Sequence, residues 1–100
     1  MLHLLQLRYT ATEQEAAPHV PGHVAYLERH HCAGTFLVSG QTVPTRDGGA
    51  IIARGVDRGT IEEITAQDPF VTNGVATYTI TTITPGRVHP TLVDILKPGR

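Results

Sequence analysis

Ala66-Gln67-Asp68-Pro69-Phe70 places a carboxylate at a forced chain boundary, with a large apolar side chain two residues on. Proline biases the residue before it away from the helical region, so a helix that begins near Thr60 has to stop about where Asp68 sits. As a helix-end acid, Asp68 faces the negative end of the macrodipole, a place that calls for a cationic or proton-bearing partner. The sequence on either side supports the boundary. Thr60-Ile61-Glu62-Glu63 matches a capping box, with Thr60 serving the free amides and Glu63 reaching back. Val75 to Thr84 alternates β-branched and aromatic residues, as a strand does.

Further upstream, Thr35-Phe36-Leu37-Val38-Ser39 and Ala50-Ile51-Ile52-Ala53-Arg54 are β-rich runs. The segment between them, Pro44-Thr45-Arg46-Asp47-Gly48-Gly49, carries hairpin chemistry in its Asp-Gly step, so the two runs are expected to pair antiparallel. Pro21 opens a helix and Gly34 closes it. Within that helix Val24, Leu27 and His31 share a face expected to lie on the sheet, while His23, Tyr26 and His30 form a stripe beside it. Leu2 to Tyr9 has leucine on both sides of its pleat, the pattern of a central strand covered on both faces. Ala11 to Ala17 is small and polar and reads as a connection with at most a helical turn.

The resulting order is strand, helix, strand, strand, helix, strand: the α+β, ferredoxin-like βαββαβ arrangement. Two helices then cover one face of a four-stranded antiparallel sheet and leave the other open. The leucines of the first strand make that open face apolar, which predicts a homodimer joined sheet to sheet as a dimeric α/β barrel. Residues 1–100 read as one domain, with a core over about 2–85 and a tail over 86–100. The tail carries Leu92, Val93, Ile95 and Leu96 between Pro90 and Pro98 and is expected to pack on something, such as a second subunit.

Composition narrows the function. Net charge is -1 with 8 Lys and Arg thinly spread, so there is no electrostatic footprint for nucleic acid. Cys32 is the single cysteine, which excludes an internal disulfide and fits a reducing compartment. No apolar run approaches membrane-spanning length and the start lacks a basic leader region, so the expectation is a soluble, cytoplasmic protein with no membrane partner. Six histidines are the compositional oddity. They do not read as a metal site: adjacent His30 and His31 point in different directions, and His23 lies about 10 Å along the helix axis from His30. The Asp47-Gly48-Gly49 turn precedes a strand and lacks a Gly-Lys-Ser/Thr sequence, so it is not a phosphate loop.

The topology makes one rim of the sheet a meeting point. It collects Arg8 at the end of the first strand, His23 at the start of the first helix, Ser39-Gly40 at the end of the second strand, and Asp68 after the second helix. His23 is the candidate partner for Asp68. A carboxylate beside an imidazole orients the ring and fixes its tautomer, which sets up a general base near neutral pH. Arg8 is the candidate for an anionic substrate group, and Gly40 would let a ligand approach the backbone. Tyr26 on the helix flank and Phe70 beside Asp68 are further candidates for the cleft wall. The competing readings are structural: a histidine on a partly apolar helix face is commonly a packing residue, and Asp-Pro carboxylates commonly bond their own local amides.

His23-Val24-Ala25-Tyr26-Leu27, Phe36-Leu37-Val38-Ser39-Gly40, and above all Ala66-Gln67-Asp68-Pro69-Phe70-Val71 followed by Gly74-Val75 resemble the YciI-like (YCII-related) family. The resemblance runs from roughly Leu2 to Pro85 in one register. It implies a dimeric α+β barrel with a His and an Asp in an active-site cleft, at His23 and Asp68 here, in a family whose reactions are mostly unknown. One departure is Val20, where many members carry arginine three residues before the histidine; Arg8 is the nearest substitute. The expectation is a small enzyme without bound cofactor or metal, acting on a small organic substrate by His-Asp acid/base chemistry, a lyase or isomerase. Its rivals are a cofactor-free oxygenase of the same fold, as in the antibiotic-biosynthesis monooxygenases, and a non-catalytic small-molecule binder or accessory protein.

Overall fold

The structure is a computed structural model, and it describes residues 1–97. Strand β1 (Leu2–Tyr9) leads through a one-turn helix α1 (Glu13–Ala16) and a 3-10 turn into α2 (Val20–Cys32). Then come β2 (Phe36–Gln41), β3 (Gly48–Arg54), α3 (Arg58–Ala66), the short α4 (Pro69–Thr72) and β4 (Ala76–Ile83). The sheet order is β2-β3-β1-β4, with every neighbouring pair antiparallel. This is the expected ferredoxin-like α+β fold.

The two-residue period of β1 sorts the sheet into two faces. His3, Leu5 and Leu7 are buried toward the helices, while Leu4 on the other face is 44% exposed. Register carries the same sides across: Leu5 pairs with Ile51 and Ile80, and Leu7 with Gly49 and Tyr78. One cluster beneath the helices contains Leu5, Tyr26, Phe36, Ile51, Ala53 and Ile61; a second contains Leu7, Ala16, Phe70, Val75 and Ala76, and Tyr78 packs against both. Leu4, Val38 and Ile83, on the face away from the helices, are exposed, so the apolar open face anticipated from the leucines is present.

Three local expectations give way. On α2 it is Tyr26, from the neighbouring stripe, that enters the core at 1% exposed, with Leu27 packed against it and His31 on Phe36 as expected, whereas Val24 is 42% exposed. Ring area decides this: Tyr26 meets Phe36 edge-on at 5.6 Å and His30 lies 5.0 Å from the same ring, burying more than Val24 can offer. Helix α3 starts earlier than Thr60, because Asp57 comes first and accepts the Thr60 amide at 2.8 Å. The capping box in this chain is instead at Thr12 and Glu15, where the connection folds as α1. Finally, β3 begins at Gly48, after a 3-10 turn over Thr45–Asp47. Gly48 has φ 138, and a Cβ there would collide with the Leu7 carbonyl, so glycine is required.

The tail folds back as a 3-10 turn (Pro90–Leu92) and α5 (Val93–Leu96). The Arg54 guanidinium donates from Nη2 to the Lys97 carbonyl at 3.1 Å, so the tail is seated at least partly on its own chain. Pro98, the tail's second proline, lies outside the described residues.

Candidate active site

Asp68 is positioned by the proline that follows it. Helix α3 stops at Ala66, Gln67 caps it, and Asp68 takes φ -59 and ψ 126, out of the helical region. It then serves as N-cap of α4, with Oδ1 accepting the Phe70 amide at 2.9 Å. Contrary to the expectation for a helix-end acid, the local dipole favours Asp68. The acid sits just past the end of one helix and at the start of the next, where negative charge is favoured, and it caps and pairs at once.

The Asp68 carboxyl group is completely buried. Burying a carboxylate without partners is very costly, and here three donors surround it. His23 Nδ1 lies 2.9 Å from both oxygens, the Phe70 N–H is on Oδ1, and the Tyr78 hydroxyl donates to Oδ2 at 2.6 Å. A carboxylate is an acceptor only, so the imidazole proton belongs on Nδ1. The ring is further fixed by stacking on Phe70, with centroids 4.1 Å apart and planes 11° from parallel. No described residue hydrogen-bonds Nε2, and the His23 side chain, 13% exposed, lines a cavity of about 260 Å³. Its remaining ring nitrogen is therefore the one available for chemistry there.

The cavity lies between α2 and the β2, β3 and β1 strands. His23, Ser39, Gly40 and Phe70 line it as the sequence suggested, and Asp68 stands behind His23. Gly40, Gly48 and Gly49 give it a floor of backbone. Two candidates fall elsewhere. Tyr26 points into the core, its hydroxyl buried without a hydrogen bond of good geometry, and burial pushes that phenol's pKa up. Arg8 leaves on the opposite face of the sheet, because Leu7 faces inward and the pleat alternates. It joins Arg46 and Asp47 in a separate polar cleft. Element direction brings the strand ends to one rim, and the pleat decides which face Arg8 takes.

Three contributors escaped the sequence reading. Tyr78 is a mid-strand aromatic with no local mark of function; burial first, then the charges of its neighbours, push its phenol up, so it stays protonated and donates to Asp68. Tyr9, two residues from Leu7, shares the inner face, packs edge-on to Phe70 at 5.7 Å and lines the cavity. Its phenol is also raised, by burial, Glu13 and Asp68 in that order. The alternation that placed Leu7 inside would have found Tyr9. Gln41, two residues beyond Ser39, reaches the cavity by the same rule. Among the described residues no lysine or arginine lines this cavity. Among the described residues no group of three His, Cys, Asp or Glu side chains converges to hold a metal ion, and no helix is long and apolar enough to cross a membrane.

Comparison with known proteins agrees with this fold. A solved structure of 5-chloro-2-hydroxyhydroquinone dehydrochlorinase (TftG) from Burkholderia phenoliruptrix AC1100, in complex with 2,5-dihydroxybenzoquinone, superposes with a TM-score of 0.69 at 21% identity. The match covers 86% of this chain and 96% of that one. No curated protein matches the sequence. The family model of the YCII-related domain matches residues 1–84, and the chain belongs to the YCII-related family.

Proposed function

We propose that this protein is a small-molecule enzyme in which His23 is the general acid/base and Asp68 orients it, carrying out an elimination or isomerisation without a bound cofactor. The observation that carries the reading is the pairing of His23 Nδ1 with a fully buried, three-donor carboxylate while the opposite ring nitrogen is left at a cavity. A structural histidine has no need of that arrangement; His3, with one ring nitrogen on the Thr82 hydroxyl and the other on the Val56 carbonyl, shows what a merely packed one looks like. The cavity volume suits a monocyclic molecule. The dehydrochlorinase of similar fold is compatible with this class, since loss of HCl needs a base; a shared fold by itself does not transfer a reaction.

The working form in this reading is a cytoplasmic homodimer joined through the open sheet face. Leu4, Val38 and Ile83 are large apolar residues on that face, each more than two-fifths exposed in the single chain. Sedimentation that finds a monomer at every concentration would remove this part of the proposal.

The activity is tested by incubating the protein in D2O with small hydroxylated aromatics, enolisable ketones and chlorohydroquinone, following deuterium uptake and chloride release. Turnover that disappears in folded His23→Asn and falls in Asp68→Asn supports the reading. Binding with no turnover at any pH gives the site to a non-catalytic binder, and turnover that survives His23→Asn removes the assigned base.

A further inference from the structure

The cavity has a second polar pole that the His23–Asp68 pair does not use. Ser39 lies on β2 opposite Ile51, whose side chain is buried toward the helices, so Ser39 faces the helix side and lines the cavity. Its Oγ is 2.8 Å from His31 Nε2, in the last turn of α2. The His31 ring is held edge-on to Phe36 at 6.0 Å and 82°. His31 follows His23 by eight residues, a rise of roughly 12 Å along the helix, so it stands apart from the His23–Asp68 pair and reaches the cavity only through Ser39.

We infer that Ser39, backed by His31, is a substrate-contacting residue that donates a hydrogen bond to a carbonyl oxygen, and that the substrate is a neutral, enolisable carbonyl compound of about one ring. This rests on His23 being the base proposed above. A neutral imidazole exchanges its proton between the two nitrogens, so a bound carbonyl selects the arrangement that satisfies every atom: His31 Nε2–H donates to Ser39 Oγ, and the Ser39 O–H donates to the substrate. Among the described residues neither arginine nor lysine lines the cavity, which argues against a carboxylate or phosphate, whose recognition draws on such cations.

The chemistry balances without an oxidant or reductant. His23 Nε2 takes a proton from the carbon beside the carbonyl, the C–H electron pair forms a C=C bond, and the carbonyl π pair moves to oxygen. There it meets the Ser39 O–H, a donor already aimed at the developing charge. The enolate then either expels a β leaving group with its bonding pair or regains a proton from His23 at another carbon.

The test measures dissociation constants by NMR titration of the full chain with 4-hydroxyacetophenone, with 4-ethylphenol as the same shape lacking the carbonyl, and with anionic 4-hydroxybenzoate. The ketone should bind roughly tenfold tighter than 4-ethylphenol, the worth of one hydrogen bond, and tighter than the benzoate. Ser39→Ala should abolish the ketone preference, Ser39→Thr should retain it, and His31→Leu should weaken it. His23→Asn should leave the preference intact while stopping deuterium exchange, so failure of the base and failure of the carbonyl contact are read separately. The proposal is overturned by a preference that persists in Ser39→Ala, by tightest binding of the benzoate, by no probe binding, or by Ser39→Ala lowering only the melting temperature.

Discussion

His23 and His30 lie seven residues apart on one stripe of α2, each against a phenylalanine, and their surroundings separate them completely. The first has a buried carboxylate on Nδ1 and its other nitrogen at a cavity. The second has Nε2 buried with no hydrogen-bond partner, and burial, with some help from the Arg29 charge, lowers its pKa. One histidine pairs with a carboxylate and keeps a ring nitrogen at a cavity, the arrangement the proposed proton transfer requires, and the other is an aromatic packing group. The difference comes from Asp68, which is 45 residues from His23 in the chain. Spacing along a helix groups residues on a face, whereas chemistry depends on what another element brings to that face.

The largest effect that would test this contrast is on turnover. His23→Asn should lower the rate by about 10² to 10⁴-fold, the usual range for a lost general base, while His30→Asn should leave it within a few-fold. Equal losses from both would erase the distinction. Asp68→Asn follows, because it puts an amide among three donors; it should lower stability in urea unfolding by on the order of 3 kcal/mol and remove the hydrogen-bonded His23 Nδ1–H resonance from the NMR spectrum. Retention of that resonance would mean that Asp68 does not hold the ring.

A pair of tyrosines sharpens the comparison at smaller scale. Tyr78→Phe deletes a 2.6 Å hydrogen bond to the carboxylate and should cost about 1.5–3 kcal/mol. Tyr26→Phe deletes a buried hydroxyl with no well-formed bond and should cost less; the reverse order in urea denaturation would contradict the assigned network. The smallest expected effect is the pH dependence from His30. Its folded-state pKa is lowered from 6.5, so the unfolded chain binds its proton more readily. The stability it leaves intact above about pH 6.5 is lost as pH falls below that value, and His30→Phe should make the decline between pH 7 and 5 shallower.

Much of this organisation was legible in the chain. Pro69 forced the break that exposes Asp68 as a cap, and the leucines of β1 announced a sheet with an apolar second face. Glycine at 48 was legible as turn chemistry, while the Leu7 carbonyl that makes it obligatory belongs to the fold. The order of the elements brings His23, Asp68, Ser39 and Gly40 to one end of the fold. What it lacked was sidedness: Arg8 and Tyr9 are neighbours, and the pleat sends one to each face. Nor did residue spacing show that Tyr26 would outcompete Val24 for the core, since that depended on Phe36 being across the interface.

The sequence by itself determined the alternation of strands and helices and the chain break at Pro69, because these rest on local backbone restrictions and on the period of each element; the His23–Asp68 pairing was expected from the topology and the family resemblance, not from the local sequence of either residue. Only the tertiary structure decided that Tyr78 completes the Asp68 shell, that Ser39 meets His31, and that no described lysine or arginine lines the cavity. Those facts depend on strand register and helix rotation, and both are set by packing between segments far apart in the chain.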